Sequence, residues 1–471
     1  MKNNILLPIE QIGREFDYKL VLAAMCSEND VIYIGQHDYL YSISKFMSGG
    51  FYIGKNLFSI RPDGTWKSRH TKLKKRGFSI MYLDEEGAVY WGDEDTWRRR
   101  LNKRINISEI DRDDYICSWG AFQQNHYQTE TKALNANIEV TGHPRFDLFK
   151  PKYFKIYQDK VSNIKSKYGD FILIPTAFAW FNNSQGYKDS FSKRWSFSYE
   201  DTLEAKKEQI GNWSYSGKTF CSYIEMILSL SSEFSQTNII IRPHPSENTS
   251  AYLHAFSNIS NVFINAEGGI TPWILACEIL IQDGCTTAVE GNIANKPTIS
   301  YQPNYELKYD MFLPSVTAIK TKTIPEVIKA VNNVFNNKDL SKDLNDNLKK
   351  NNRALSLLEN LKAEREFDSF DKVMSVLKKV IVSRKNEKND QFNSILFLCF
   401  RVKFRLLEVV KNLLRPLFIE KYKNYKAIQN IFPGFDKQDL LTKIKNIEKI
   451  TNSKINLKFF NKNLIILTKK G

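Results

Sequence analysis

Short apolar runs alternate with helically spaced segments twice along this chain, and that alternation leaves little freedom in the fold. Asn4 to Ile9 reads as a strand, and Gln11 to Cys26 carries apolar residues at helical spacing (Phe16, Leu20, Leu22, Ala23). Val31 to Gly35 and Phe78 to Leu83 read as further strands. The pattern returns with Asp170 to Pro175, a helix near Thr219 to Phe234, and apolar runs at Asn238 to Pro243, Val262 to Ile264, Ile279 to Gln282 and Thr298 to Tyr301. Strand, helix, strand at such intervals predicts parallel sheets, an α/β fold. Two such halves are expected, joined between Phe149 and Ser166. From Asn182 to Lys218 a polar stretch rich in aromatics (Trp195, Phe197, Tyr199, Trp213, Tyr215) lacks a clear period and exceeds an ordinary βα connection. A functional loop or lid is expected there.

Composition excludes several classes. With 471 residues, 42% hydrophobic and 25% charged, the chain can bury two or three cores and is neither disordered nor a disulfide-rich miniature. Its longest nearly apolar run, Phe171 to Phe181, is too short to span a bilayer, and Ile5 to Ile9 is too brief for a secretory signal. The cysteines (Cys26, Cys117, Cys221, Cys277, Cys285, Cys399) form no CxxC pair, so reduced thiols in a cytoplasmic protein are expected. The histidines do not cluster with them, which argues against a zinc site. The net charge of +16 is uneven: from Ile381 onward 20 Lys and Arg face 7 Asp and Glu, while the rest of the chain carries only +3. A nearly neutral body argues against a nucleic-acid groove.

Three segments carry chemistry. Arg242-Pro243-His244-Pro245-Ser246 follows an apolar strand, where open α/β sheets bind ligands, and an arginine and histidine there suit a phosphate. Two prolines alone would also build a rigid turn. Ile281-Gln282-Asp283-Gly284-Cys285-Thr286-Thr287 ends a strand and opens a helix, an arrangement in which Gly284 permits the turn and the amides and hydroxyls of Thr286 and Thr287 receive an anion. Glu290 lies one turn on, placed to meet a ribose, although threonine at a helix start is also ordinary capping. In the first half, Asp84-Glu85-Glu86-Gly87 follows a strand. Its carboxylates suit a general base, a nucleophile or a cation-stabilising charge, or are simply a solvated acidic turn. Glu10 ends the first strand, and a parallel sheet can bring it near Asp84. Asp93-Glu94-Asp95 matches a short metal-binding pattern, but Trp97-Arg98-Arg99-Arg100 beside it suggests a surface ion-pair cluster.

As a set these residues resemble bacterial CMP-sugar glycosyltransferases of the GT-B type. They are most similar to surface carbohydrate biosynthesis proteins related to the retaining β-Kdo (3-deoxy-octulosonate) transferases. The likeness rests on Glu10 with Arg14-Glu15-Phe16-Asp17-Tyr18-Lys19, Gly54-Lys55, Asp84-Glu85-Glu86-Gly87, Val140 to Asp147, Arg242 to Pro245 and Asp283 to Glu290, and spans about residues 4 to 310. It implies two facing Rossmann-like domains and a cytidine monophosphate donor held by Arg242, His244, Gly284, Thr286, Thr287 and Glu290. It also implies Asp84 as a nucleophile that carries the sugar transiently, Glu10 and Glu85 as assisting carboxylates, and Lys55 and Arg145 toward the sugar carboxylate or the acceptor. Thr286-Thr287 stands where serines are usual, and Pro175 to Phe178 fits the family's segment loosely.

The expected organisation is an N-terminal Rossmann-like domain at 1–160, a nucleotide-sugar domain with closing helices at 161–380, and a basic helical tail at 381–471. The expected function is transfer of Kdo or a related nonulosonate from a CMP-sugar to a glycan or lipid-linked glycan, with retention, in lipopolysaccharide or capsule assembly. No cofactor, metal or nucleic-acid partner is expected. A CDP-glycerol-type phosphotransferase and an inactive GT-B scaffold are the alternatives. In the tail, Ser394 to Phe400, Arg401 to Leu407 and Leu413 to Phe418 interleave basic and large apolar residues, the pattern of a helix lying on an anionic membrane surface. A helical bundle packed on the body would show a similar pattern. The protein is therefore expected in the cytoplasm, peripheral on the inner face of the membrane.

Overall fold

The computed structural model describes residues 2–60, 65–130, 137–191, 202–336, 348–362, 367–384 and 431–470, together with 393, 395, 402, 406 and 410. In chain order its strands begin with β1 (Asn3–Ile9), β2 (Asp30–Gln36), β3 (Gly50–Gly54), β4 (Phe58–Ile60), β5 (Trp66–Ser68), β6 (Phe78–Leu83), β7 (Tyr115–Ser118) and β8 (Asn137–Val140). They continue with β9 (Phe171–Pro175), β10 (Asn238–Arg242), β11 (Val262–Ile264), β12 (Ile279–Gln282), β13 (Thr298–Tyr301), β14 (Ile319–Thr321), β15 (Ile455–Asn461) and β16 (Leu464–Lys469).

Two main sheets result. The first has the order β15-β16-β2-β1-β3-β6-β7-β8 and the second β11-β10-β9-β12-β13-β14, while β4 and β5 form a separate ribbon. The strands of the second sheet all pair parallel, as do β2, β1, β3, β6, β7 and β8 of the first. Strands such as Ile239-Ile240-Ile241, wholly buried, read as continuous apolar runs because helices cover both faces. The expected pair of facing Rossmann-like α/β domains, the GT-B class, is what the chain forms. In each sheet the strand order reverses once, between β1 and β3 and between β9 and β12. Ligand crevices of open α/β sheets lie outside the carboxyl ends of strands at that reversal. Glu10 and Lys55 follow β1 and β3, and Asp283 and Gly284 follow β12, so topology points to these motif residues, while Asp84 to Glu86 after β6 and His244 after β10 lie one strand further out.

Three segments depart from expectation. Trp213 and Tyr215, placed in an irregular loop, lie in a helix running from Leu203 to Glu233. Thr202 caps it by accepting the amide of Ala205 at 3.2 Å. Its inner face buries Gln209, Asn212, Ser216 and Thr219 before the apolar residues begin, which hides the helical period. Trp195, Phe197 and Tyr199 lie outside the described residues.

The closing helices, assigned with the second domain, return to the first. Asn360 accepts the amide of His143 at 2.9 Å and donates to Asp147 Oδ1 at 2.8 Å, and the Asp147 carboxylate also accepts the amide of Ser369. The helix Ser369–Arg384 buries Phe370, Val373 and Leu377 in the same core as β1 and the helix Ile12–Met25.

The tail is not the helical appendage expected. Its helix Lys437–Thr451 buries Leu440, Ile444 and Ile447, and the rings of Phe435 and Phe16 lie 5.0 Å apart. After it, β15 and β16 form an antiparallel hairpin, and β16 pairs with β2 from Leu464 opposite Gly35 to Thr468 opposite Val31. The apolar Leu464-Ile465-Ile466-Leu467 run is strand-forming, and it covers what would be an open edge of the first sheet. The membrane-pattern segment from Ser394 to Phe418 lies, apart from single positions, outside the described residues, as does Cys399.

Candidate functional site

In the first domain the site begins with the turn after β1. The helix Ile12–Met25 starts without a side-chain cap on Gln11; instead Glu15 reaches back to accept the amides of Glu10 at 3.0 Å and Gln11 at 3.1 Å. That satisfies donors a helix start leaves open. One turn on, Lys19 is wholly buried, 3.0 Å from Glu15 Oε2 and 2.9 Å from Glu85 Oε1, and it also donates to the Pro8 carbonyl. The Tyr18 hydroxyl donates to Glu85 as well. Burial acts to raise the Glu85 pKa, but Lys19, Arg14, Tyr18 and Arg145 outweigh it and the net shift is downward. Burial likewise opposes the charge on Lys19, and Glu15 and Glu85 overcome it, so its pKa rises.

The three carboxylates after β6 therefore part ways. Glu85 points into this network. Asp84 is buried, both its oxygens are held by the Arg104 guanidinium, and its carbonyl accepts Trp119 Nε1 at 2.7 Å. Glu86 reaches the cleft with a side chain 53% exposed, 3.0 Å from Arg104 and 3.5 Å from Arg14. Arg104 first, and then Arg14 against the effect of burial, lower the Glu86 pKa to about 2. Glu10 and Lys55 pair with one another at the reversal of strand order.

Beyond β8, His143 caps the short helix Pro144–Asp147 by accepting the amide of Arg145 on Nδ1 at 3.1 Å. Nδ1 is thereby an acceptor, so in the neutral ring the proton sits on Nε2, which faces Glu85 Oε2 at 3.6 Å. Burial, with Arg145 and Lys19 beside it, holds the His143 pKa well below the usual value.

The second domain contributes two strand ends. After β10, Arg242 is used inside the fold: NH1 donates to Asn265 Oδ1 and the Glu267 carbonyl, both at 2.7 Å, and NH2 to the Gly268 carbonyl at 2.8 Å. It shapes the 265–268 loop, and a phosphate would have to compete with these partners. His244 is open to the cleft, with Nδ1 accepting the Ser246 amide at 3.2 Å. Its surroundings, burial first and Arg14 second, lower its pKa to about 4. Glu247, unnoticed in the sequence, is buried and accepts the amides of His244 and Phe178 and the Thr176 hydroxyl, which fixes the turn.

After β12, Gly284 adopts φ +60°, and Gln282 Oε1 accepts the Cys285 amide at 2.7 Å. The helix Thr286–Ile293 opens here. Gln282 Nε2 and Thr287 Oγ1 are buried with no hydrogen-bond partner. Burial, reinforced by Asp310, raises the Asp283 pKa to about 7.

The sequence placed Glu290 toward a ribose. It is instead 3% exposed and faces the first domain, with Oε1 3.7 Å from Arg145 Nε. Arg145 is 2% exposed, flanked by the rings of Phe146 and Trp119 at 4.7 and 5.5 Å, and none of its three guanidinium nitrogens has a hydrogen-bond partner. Burial lowers the Arg145 pKa and raises that of Glu290. A buried guanidinium that makes no hydrogen bond is costly even beside a carboxylate at 3.7 Å.

The structure thus brings Asp84, Glu85, Glu86, Arg145 and Glu290 to one interdomain cleft, with His244 on its far wall and Glu10–Lys55 at its edge. Arg14, Lys19, Arg104 and His143 complete it without having been singled out for chemistry. The signal for one of them was legible: Lys19 stands within the apolar segment Phe16 to Ala23, four residues after Glu15. Asp93 caps the helix Glu94–Asn102 by accepting the Thr96 amide at 2.9 Å, and Glu94 pairs with Arg353 at 3.0 Å. Asp93-Glu94-Asp95 is a capped helix start.

No family model matches the chain, and no curated protein matches it in sequence. Among solved structures it is similar to the UDP-GlcNAc 2-epimerase from Methanocaldococcus jannaschii, with 14% identity over 80% of this chain and 100% of that one and a TM-score of 0.47. The UDP-GlcNAc 2-epimerase from Neisseria meningitidis gives 12%, 80%, 100% and 0.47. The wall teichoic acid polymerase TagF gives 11%, 80%, 90% and 0.45. At this level the likenesses carry no argument; the two Rossmann-like domains stand on their own strand order and register.

Proposed function

We propose that the chain is a glycosyltransferase of surface polysaccharide assembly that takes a CMP-activated nonulosonate of the Kdo class. The observation that carries this reading is the buried Arg145 guanidinium, which makes no hydrogen bond and faces Glu290 at 3.7 Å beside the start of the helix Thr286–Ile293. A nonulosonate donor carries two anions, a sugar carboxylate and a phosphate. Arg145 offers the planar fork that a carboxylate accepts in bidentate fashion. His244, Thr287, Gln282 and the helix start offer a phosphate neutral hydrogen-bond donors and a favourable dipole. Because Arg145 is nearly inaccessible, the domains part to admit the donor and close on it.

On this reading a carboxylate at the end of β6 meets the anomeric carbon as CMP departs. Asp84 is the expected nucleophile, and its attack requires the Arg104 pair to open. Glu86 is the anionic neighbour already facing the cleft. Intact-protein mass spectrometry with a CMP-Kdo generating system is expected to show a sugar-mass adduct absent in Asp84→Asn and retained in Glu86→Gln. An adduct that persists in Asp84→Asn overturns the assignment. Calorimetry should show CMP binding that His244→Ala weakens by about ten- to hundredfold, as loss of a bond to a charged group implies.

The Asp84–Arg104 pair also favours a second reading. If Asp84 never frees an oxygen, a CDP-glycerol-type phosphotransfer with direct attack by the acceptor fits the same anion sites. Binding of CDP-glycerol with turnover, and no response to CMP-Kdo, selects it.

Peripheral membrane attachment belongs to the proposal. Ile395, Val402, Leu406 and Val410 are exposed apolar side chains at intervals of seven, four and four, one face of a helix. No helix among the described residues is long and apolar enough to cross a membrane. Removing the whole tail would strip β16 from β2, so the test is Val402→Glu with Leu406→Glu in the full chain. Loss of sedimentation with anionic liposomes supports attachment, and unchanged sedimentation refutes it.

A further inference from the structure

Away from the cleft, at the amino end of β7, a second group of ionisable side chains meets. The loop before that strand reads Asp111-Arg112-Asp113-Asp114, and it folds on itself as Asp114 Oδ2 accepts the Asp111 amide at 2.7 Å. Asp114 is wholly buried, whereas the Asp111 side chain is 58% exposed. His70, which opens the helix His70–Lys74, is 2% exposed and turns Nε2 toward this loop, 3.3 Å from Asp114 Oδ2. That nitrogen has no hydrogen-bond partner. Its direction is fixed from behind: Nδ1 lies 2.6 Å from the Tyr82 hydroxyl, and the Phe58 ring stacks on the imidazole at 5.5 Å. One ligand atom from each of His70, Asp111 and Asp114 lies within 4.8 Å of the others.

Charge is unbalanced here. Lys74 Nζ approaches Asp113 at 2.7 Å, Asp114 Oδ1 at 3.2 Å and Asp111 at 3.6 Å, a single cation set against three carboxylates. Lys74 approaches Oδ1 of Asp114, whereas His70 faces Oδ2, so the two nitrogens meet Asp114 from different sides. A divalent ion on the His70 side would bring the cluster to neutrality. We propose that His70, Asp111 and Asp114 bind a divalent transition ion, with zinc the best match and water completing the shell. An imidazole among the donors selects against magnesium and calcium, which prefer oxygen throughout. The Tyr82 hydroxyl supplies the outer partner that orients a metal-bound imidazole. The exposed Asp111 gives the ion its entry path. The ion would tie the helix His70–Lys74 to the loop leading into β7 and takes no part in sugar transfer.

Full-length protein freed of metal with a chelator, in a Cys221→Ser background that removes an exposed thiol, is titrated calorimetrically with zinc chloride and separately with magnesium chloride. One saturable zinc site and no magnesium site are expected. Asp111→Asn, at an exposed position that leaves the core intact, should weaken zinc by at least about tenfold, and His70→Gln should abolish the site. Lys74→Gln should tighten zinc severalfold, because it removes a competing ammonium; a purely structural His70–Asp114 contact would give no such gain. Cobalt(II) added in place of zinc should develop visible d–d absorption that Asp111→Asn loses. Absence of saturable zinc binding, unchanged affinity in Asp111→Asn, or no gain in Lys74→Gln overturns the proposal. Should His70→Gln fail to fold, the Asp111 and Lys74 variants decide it alone.

Discussion

The two walls of the cleft handle buried charge in opposite ways. On the first domain, Lys19, Glu15, Glu85 and Tyr18 are out of solvent and mutually hydrogen-bonded, so their charges stabilise one another. Where the domains meet, Arg145, Glu290, Thr287 and Gln282 are equally buried but leave polar atoms without partners. The first arrangement holds the β1 and β6 turns together through hydrogen-bonded ion pairs, and only Glu85 Oε2, facing His143 Nε2 at 3.6 Å, lacks a hydrogen-bond partner among these four side chains. The second leaves hydrogen-bonding capacity unmet, which on the proposed reading an anionic donor fills. Burial alone therefore does not distinguish the two groups; the number of polar atoms left without partners does.

The contrast is broken most severely from the satisfied side. Lys19→Met leaves Glu15 and Glu85 buried without their cation, and removing one partner of such a pair costs about 3–5 kcal/mol. A melting temperature lowered by many degrees, with activity lost because the fold is lost, is the expected outcome. A Lys19→Met variant as stable as the parent would mean that the network contributes nothing.

Arg145→Met tests the other side. Its guanidinium makes no hydrogen bond and has only the 3.7 Å approach of Glu290 and the flanking rings to forfeit, so the melting temperature is expected to stay level or rise when Glu290→Gln accompanies it and so removes the orphaned carboxylate. Donor affinity should fall by about ten- to hundredfold, the value of bonds to a charged group. Stability lost in step with binding would show that Arg145 is structural.

How much of this was legible before the fold differs between the walls for the same reason. The strand ends and their turns, Asp84 to Gly87, Arg242 to Pro245 and Asp283 to Thr287, announce themselves because apolar runs stop there and Gly or Pro punctuates. Partners brought in from elsewhere do not. Arg104 clamps Asp84 from 20 residues away, and Glu290 meets Arg145 across two domains, so no local pattern encodes either pairing. The tail misled because its composition is basic and its last strand short; its pairing with β2 is a contact between opposite ends of the chain.

A smaller effect follows from Asp283. Burial and Asp310 raise its pKa to about 7, so the folded state favours the neutral acid. The protein should lose stability as pH climbs from the ordinary aspartate range toward 7 and lose no more above it. Asp283→Asn removes that dependence. Urea titrations should show no advantage for the variant near about pH 4 and its full advantage near about pH 8. A gap between variant and parent that does not change with pH would place the Asp283 proton elsewhere.

The smallest change asks how tightly the walls must meet. Gly13 opens the helix after Glu10, and Gly269 lies beside the loop that Arg242 holds; a Cβ on Gly269 would stand 2.8 Å from the Gly13 carbonyl oxygen. Real side chains do not tolerate that approach to a backbone atom, so Gly269→Ala must hold the two domains a few tenths of an ångström apart. Neither glycine carries a functional group, and each domain's core is untouched, so the melting temperature should barely move. What should move is the stage that depends on closure. Arg145 and the Thr286–Ile293 helix start could no longer grip one donor together, and KM for the donor should rise severalfold, since even small misplacement of a positioning contact is felt in rate. On the proposed reading CMP alone is held by the second domain, so its binding should be unaffected. If Gly269→Ala leaves KM unchanged, the glycine contact is incidental and the donor does not need both walls at once.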